Sequence, residues 1–212
     1  MKHQVNNNPV EHKNIYRQKN ILARQLISTQ YVAPITGPIG EIHEYSELVE
    51  VLFHAEECDQ VYIQLSSPGG SMETCDYLCR RMDECEAHII VEIGMTCASA
   101  ASAIALQADD WVIYESSTMM IHSCSYSPGY GKEANIRTQA EYTERLNREW
   151  IERTYNGFLC EEETIEVVEY GKALYFFADD LRERMSLLHE HRNPCKTWQT
   201  EEPPQHRKHQ TA

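Results

Sequence analysis

Three short stretches carry residue types that together could act on a carbonyl group. In the first, Ser66-Ser67-Pro68-Gly69-Gly70, an apolar run gives way to a helical pattern, so backbone N–H groups gather at a positive helix terminus. Such a turn can hold an oxyanion. Its glycines allow unusual backbone angles and the close approach of a substrate, and Pro68 fixes the direction in which the chain enters. The same residues also read as an ordinary tight turn between strand and helix.

The second stretch, Gly94-Met95-Thr96-Cys97-Ala98-Ser99-Ala100-Ala101-Ser102, is a run of small residues that let backbones come close. A serine in the first turn of a helix here would display its hydroxyl at the sheet edge, with an adjacent N–H for an oxyanion; otherwise Ser99 is simply a cap. A serine hydroxyl needs a base to become a nucleophile at neutral pH. The third stretch, Met119-Met120-Ile121-His122, ends an apolar strand in an imidazole that could be that base or a satisfied structural histidine.

These residues must be positioned by the elements around them. Val61 to Leu65 reads as a strand, Glu73 to Cys85 as a helix, and Ile89 to Ile93 as a second strand leading to a helix after Ser99. Two more buried strands follow at Trp111–Tyr114 and Met119–Ile121. The alternation predicts α/β crossover units. Upstream, Ser46 to Phe53 reads as a helix capped by Ser46, with Val49 and Leu52 inward. A long helix over residues 133–154 gathers Ile136, Ala140, Thr143, Leu146, Trp150 and Ile151 near one face, for its own sheet or for another subunit.

Composition narrows the partners. A chain of 212 residues with 42% hydrophobic and 25% charged residues suits one large folded domain and excludes wholesale disorder. A net charge of -14 opposes nucleic-acid binding, which needs clustered Lys and Arg. Apolar runs such as Ile89-Ile90-Val91 fall far short of the about 20 residues needed to span a bilayer, so no membrane is expected. The polar start leads into Asn6-Asn7-Asn8-Pro9 instead of an apolar secretion signal, and the expected address is cytoplasmic.

Eight cysteines without a Cys-x-x-Cys pair are expected as reduced thiols, with no metal and no cofactor; Cys75, Cys79 and Cys85 share helical spacing with Leu78 and Met82. Residues 1–20 read as a flexible arm, 21–192 as the folded domain, and 193–212, with Pro203-Pro204, as a disordered polar tail.

In their order along the chain, Ser67-Pro68-Gly69-Gly70, Cys97-Ala98-Ser99 and Met120-Ile121-His122 resemble the ClpP-like serine peptidases of the Clp protease/crotonase superfamily, over residues 39–181. The resemblance implies a fold of repeated β-β-α units with a protruding handle, which falls on Ser127–Gly131 and the long helix after it. It places the nucleophile on Ser99, with Ser102 one turn further in, and the base on His122. The oxyanion donors fall on the backbone of Gly69, Gly70 and Ala100.

The implied activity is endopeptidase cleavage of unfolded proteins or peptides through an acyl-enzyme. It would take place inside a homo-oligomeric ring, a heptamer or two stacked heptamers, fed by an AAA+ unfoldase. The unfoldase would handle ATP, since this chain has no Gly-x-x-x-x-Gly-Lys-Ser/Thr phosphate loop. The chain looks most like the divergent, phage-type branch.

Two departures from the family pattern stand out. Gly94 lies one residue further from Ser99 than usual, which implies a reshaped turn, and Ala173 stands where the catalytic aspartate is expected. The third member of the triad therefore stays open, with Glu169, Asp179 or a backbone carbonyl as substitutes. A catalytically impaired ring subunit is the second reading, and a crotonase-like acyl-CoA enzyme the third.

Overall fold

A computed structural model describes residues 27–127 and 129–193. The expected N-terminal arm and the tail beyond Asn193 lie outside the described residues. Six strands form one sheet: β1 (Gln30–Thr36), β2 (Gln60–Ser67), β3 (His88–Ala98), β4 (Asp110–Ile113), β5 (Thr118–Ile121) and β6 (Leu174–Phe177). Their order is β1-β2-β3-β5-β6, with β4 beside the first half of β3 and β5 beside its last residues. All pairs are parallel except β5 with β6. The architecture is the expected α/β fold.

The period-2 pattern of β2 explains which face is covered. Val61, Ile63 and Leu65 are buried and lie in register with Ile89, Val91 and Ile93 of β3. Helices α1 (Ser46–His54), α2 (Met72–Asp83) and α3 (Ala100–Leu106) complete this core with Leu52, Leu78 and Ile104. Each fully buried aliphatic side chain there contributes about 1.5–3 kcal/mol. The opposite face carries Val32, Tyr62, Ile90, Val112 and Tyr114, of which Val32 and Tyr114 remain exposed.

Several elements differ from the sequence reading for local reasons. Ser46 is the first helical residue of α1 and Tyr45 its cap, because a 3-10 turn over Ile42–Tyr45 precedes it and the Ser46 hydroxyl donates back to the His43 carbonyl. Leu48 joins Leu52 inside, and Val49 is half-buried against the same core. Strand β3 runs on past Ile93 to Ala98, and between Leu65↔Ile93 and Ser67↔Cys97 it takes up two more residues than β2. The reshaped turn expected at Gly94 is therefore an irregularity within a strand, the kind of bulge that re-aims the side chains beyond it. Strands β1 and β6 are additions to the sequence reading, being short edges with mixed burial.

The long helix α4 spans Glu133–Thr154, as its apolar spacing predicts, but only Trp150 and Ile151 are buried. Its base is tied to α2 through Arg153–Asp76 at 3.2 Å. Beyond it, α5 (Glu161–Val168) and α6 (Ala178–Arg192) are joined by Arg184, which donates to both Glu163 carboxylate oxygens at 2.8 and 2.6 Å and lies over the Phe176 ring.

The Arg184 hydrogen bonds hold the Glu163 carboxyl below its ordinary value of 4.5. A depressed carboxyl pKa adds stability that is fully present above the unfolded value and fades as pH falls through the folded one. Glu163→Gln is expected to lower stability at pH 7 by about 1–2 kcal/mol and to flatten the loss below pH 4.5, read from urea midpoints across pH. A variant as stable as the native chain at both pH values would show that the pair contributes nothing.

Candidate active site

Ser99 lies one residue past β3 and His122 one residue past β5, at the ends of hydrogen-bonded parallel neighbours. The register Ala98↔Met120 and the bond from Ser99 N–H to the Met120 carbonyl, 2.8 Å, bring the two positions side by side. Ligand sites in open parallel sheets form at such carboxyl ends. Among the described residues, no direct hydrogen bond joins the Ser99 hydroxyl to the His122 ring.

Ser99 has φ 55° and ψ -126°, and among the described residues it is the one non-glycine residue at positive φ. Such a conformation costs about 1–3 kcal/mol and persists only where its surroundings enforce it. Ser99 makes the tight turn from β3 into α3, the strand-to-helix geometry of a nucleophile elbow.

Gly69, at φ 93°, packs directly on this turn. A Cβ there would stand 2.7 Å from the Ala98 carbonyl oxygen and the Ser99 Cβ, and 3.0 Å from the Ala100 nitrogen. The Gly69 amide, expected as an oxyanion donor, is instead committed to the Ser67 hydroxyl at 3.1 Å. Ile39 straps the outer side of the turn, donating to the Gly69 carbonyl at 2.9 Å and accepting from Ser71 N–H at 2.8 Å. The N–H groups of Gly70 and Ala100 have no partner among the described residues. One of these amides directly follows Ser99 and the other directly follows Gly69, the residue packed on the Ser99 turn.

The loop after His122 is clamped from two sides. Cys124 N–H donates to Asn147 Oδ1 of α4 at 2.8 Å, and its sulfur meets Met72 Sδ of α2 at 3.1 Å. Cys75 fills the space beneath α3, its thiol donating to the Ala100 carbonyl at 3.1 Å. Its partner Cys79 and burial push the Cys75 thiol up, so it stays protonated as that donor. The seven described cysteines are free.

No carboxylate completes the pair among the described residues. The antiparallel register ends at Ile121↔Leu174, so the next residues across the ladder are His122 and Ala173. Residue 173 is an alanine, which brings no carboxylate. Glu169 pairs with Arg148 at 2.6 Å and Asp179 with Arg182 at 2.9 Å, so both substitute acids are engaged elsewhere. Among the described residues, no His, Cys, Asp and Glu side chains cluster to hold a metal ion, and no helix is long and apolar enough to cross a membrane.

Tyr155 and Asn147, both contributed by α4 or its end, escaped the sequence reading. The available signal was a tyrosine closing an amphipathic helix next to Trp150 and Ile151, which reads as core. A family model described as Clp protease matches residues 17–167, well over half of the chain and ending before Ala173. No curated protein matches the chain.

Proposed function

Because the chain belongs to the Clp protease family, we propose that it is a serine endopeptidase in which Ser99 is the nucleophile and His122 the general base. The observation that carries this reading is the strained Ser99 turn, held at φ 55° against Gly69, with the Gly70 and Ala100 amides lacking partners among the described residues. In the reaction Ser99 Oγ attacks a peptide carbonyl carbon while His122 takes its proton, and the Gly70 and Ala100 N–H groups receive the oxyanion. His122 returns the proton to the leaving amine, giving an acyl-enzyme that water then hydrolyses. Gly69 admits the close approach of the elbow and does not donate.

The open sheet face supports assembly with copies of itself. Parallel sheets are covered on both faces, and here Val32 and Tyr114 are exposed on the side opposite the core. A ring of identical subunits would cover that face, with α4 projecting as the handle between stacked rings. An AAA+ unfoldase supplying unfolded chains, a cytoplasmic setting and a phage-type origin complete the proposal.

Ala173 favours a second reading, a ring subunit whose chemistry is impaired. A fluorophosphonate probe separates the two. The expected adduct maps to Ser99 and is lost in Ser99→Ala. Absence of any adduct on intact rings, seen by native mass spectrometry, would overturn the peptidase reading, and acyl-CoA binding would point to crotonase chemistry.

A further inference from the structure

The Ser99 carbonyl is gripped from within the core. It accepts from Ser102 N–H at 2.9 Å and from the Ser102 hydroxyl at 2.6 Å, so both of its lone pairs are used. Ser102 Oγ in turn lies 2.8 Å from the Tyr155 hydroxyl at the end of α4. Ser102 has one proton, already given to the Ser99 carbonyl, so in this pair Tyr155 must donate. Ser102 is 0% and Tyr155 3% exposed, so the chain of bonds is shielded from bulk solvent. Burial raises the Tyr155 phenol far above its ordinary value, and it therefore remains a donor throughout the working pH range.

The Ser99 carbonyl and the Ala100 N–H are two ends of one planar peptide group. Holding the carbonyl inward aims the N–H outward, toward the cleft beside Gly69. We propose that Tyr155, acting through Ser102, is a positioning residue that fixes the Ser99–Ala100 peptide plane and so sets the direction of the Ala100 oxyanion donor. The inference rests on the reading of Ser99 as nucleophile. It links the base of α4 to the chemistry across 53 residues of sequence.

Loss of one oxyanion donor costs about 10²–10³ in rate, and misaiming it costs less. Tyr155→Phe, which keeps the ring, is expected to slow phosphonylation of Ser99 about tenfold. With a peptide substrate, kcat should fall and KM should hold. A merely structural tyrosine would act independently of Ser102, whereas a relay predicts that Tyr155→Phe adds nothing once Ser102→Ala is present. A native rate in Tyr155→Phe, or additive losses in the double variant, overturns the relay.

Should Tyr155→Phe fail to fold by circular dichroism, Ser102→Ala alone decides: a similar loss supports the relay and a native rate overturns it. If the native chain takes no label at Ser99, the peptidase reading fails on its own account. The relay is then decided by a crystal structure of Tyr155→Phe. A turned Ser99–Ala100 peptide supports it and an unmoved one overturns it.

Discussion

Ala173→Asp is expected to raise kcat/KM by about 10²-fold, part of the roughly 10⁴ that separates an intact triad from one whose acid is neutralised. The ladder ends at the pair Ile121 and Leu174, so His122 and Ala173 are the residues that directly follow and precede its last pair, and paired cross-strand neighbours have Cβ atoms about 4.5–5.5 Å apart on one face. An aspartate there would reach the imidazole, fix its tautomer and stabilise the cation formed when Ser99 gives up its proton. Residue 173 is exposed, so the new carboxylate carries little desolvation cost. Glu169→Gln and Asp179→Asn should leave the native rate unchanged, since Arg148 and Arg182 hold those carboxylates. An unchanged rate in Ala173→Asp would show that the position opposite His122 does not limit the chemistry.

Gly69→Ala is expected to lower labelling at Ser99 by about 10²–10³-fold, an effect as large as removing an oxyanion donor outright. The new Cβ would collide with the Ala98 carbonyl, Ser99 Cβ and Ala100 nitrogen, and these are backbone or near-backbone atoms that cannot swing aside. Either the Gly-Gly turn or the elbow must move. The positive φ adds strain of its own, about 1–3 kcal/mol. Gly37→Ala is the control, because Gly37 has φ 78° with nothing within 4 Å. It should lower the thermal midpoint without changing the labelling rate. Equal losses of labelling in the two variants would assign the effect to backbone strain and remove Gly69 from the site.

Both results turn on contacts between segments distant in the chain, and the sequence was informative about them to different degrees. Ser-Pro-Gly-Gly after an apolar run, small residues around Ser99 and a histidine ending an apolar strand state where strands stop and helices begin. That is where a parallel sheet collects its reactive groups. The length of α4 was likewise legible, because its apolar spacing repeats at helical period from Ile136 to Ile151. The edge strands β1 and β6 were not, since four to seven residues of mixed burial carry no clear alternation.

By itself the sequence determined the central strand and helix alternation, the strand and helix ends that carry Ser99 and His122, and the alanine at residue 173. Tertiary structure alone decided that the β5–β6 ladder ends next to His122 and Ala173, that the Gly69 amide turns to Ser67 while those of Gly70 and Ala100 have no partner among the described residues, and that Tyr155 reaches Ser102. Periodicity and turn residues are local properties that a linear pattern records. The partner of a hydrogen bond across a sheet or a core is fixed only when strand register and helix packing are fixed together.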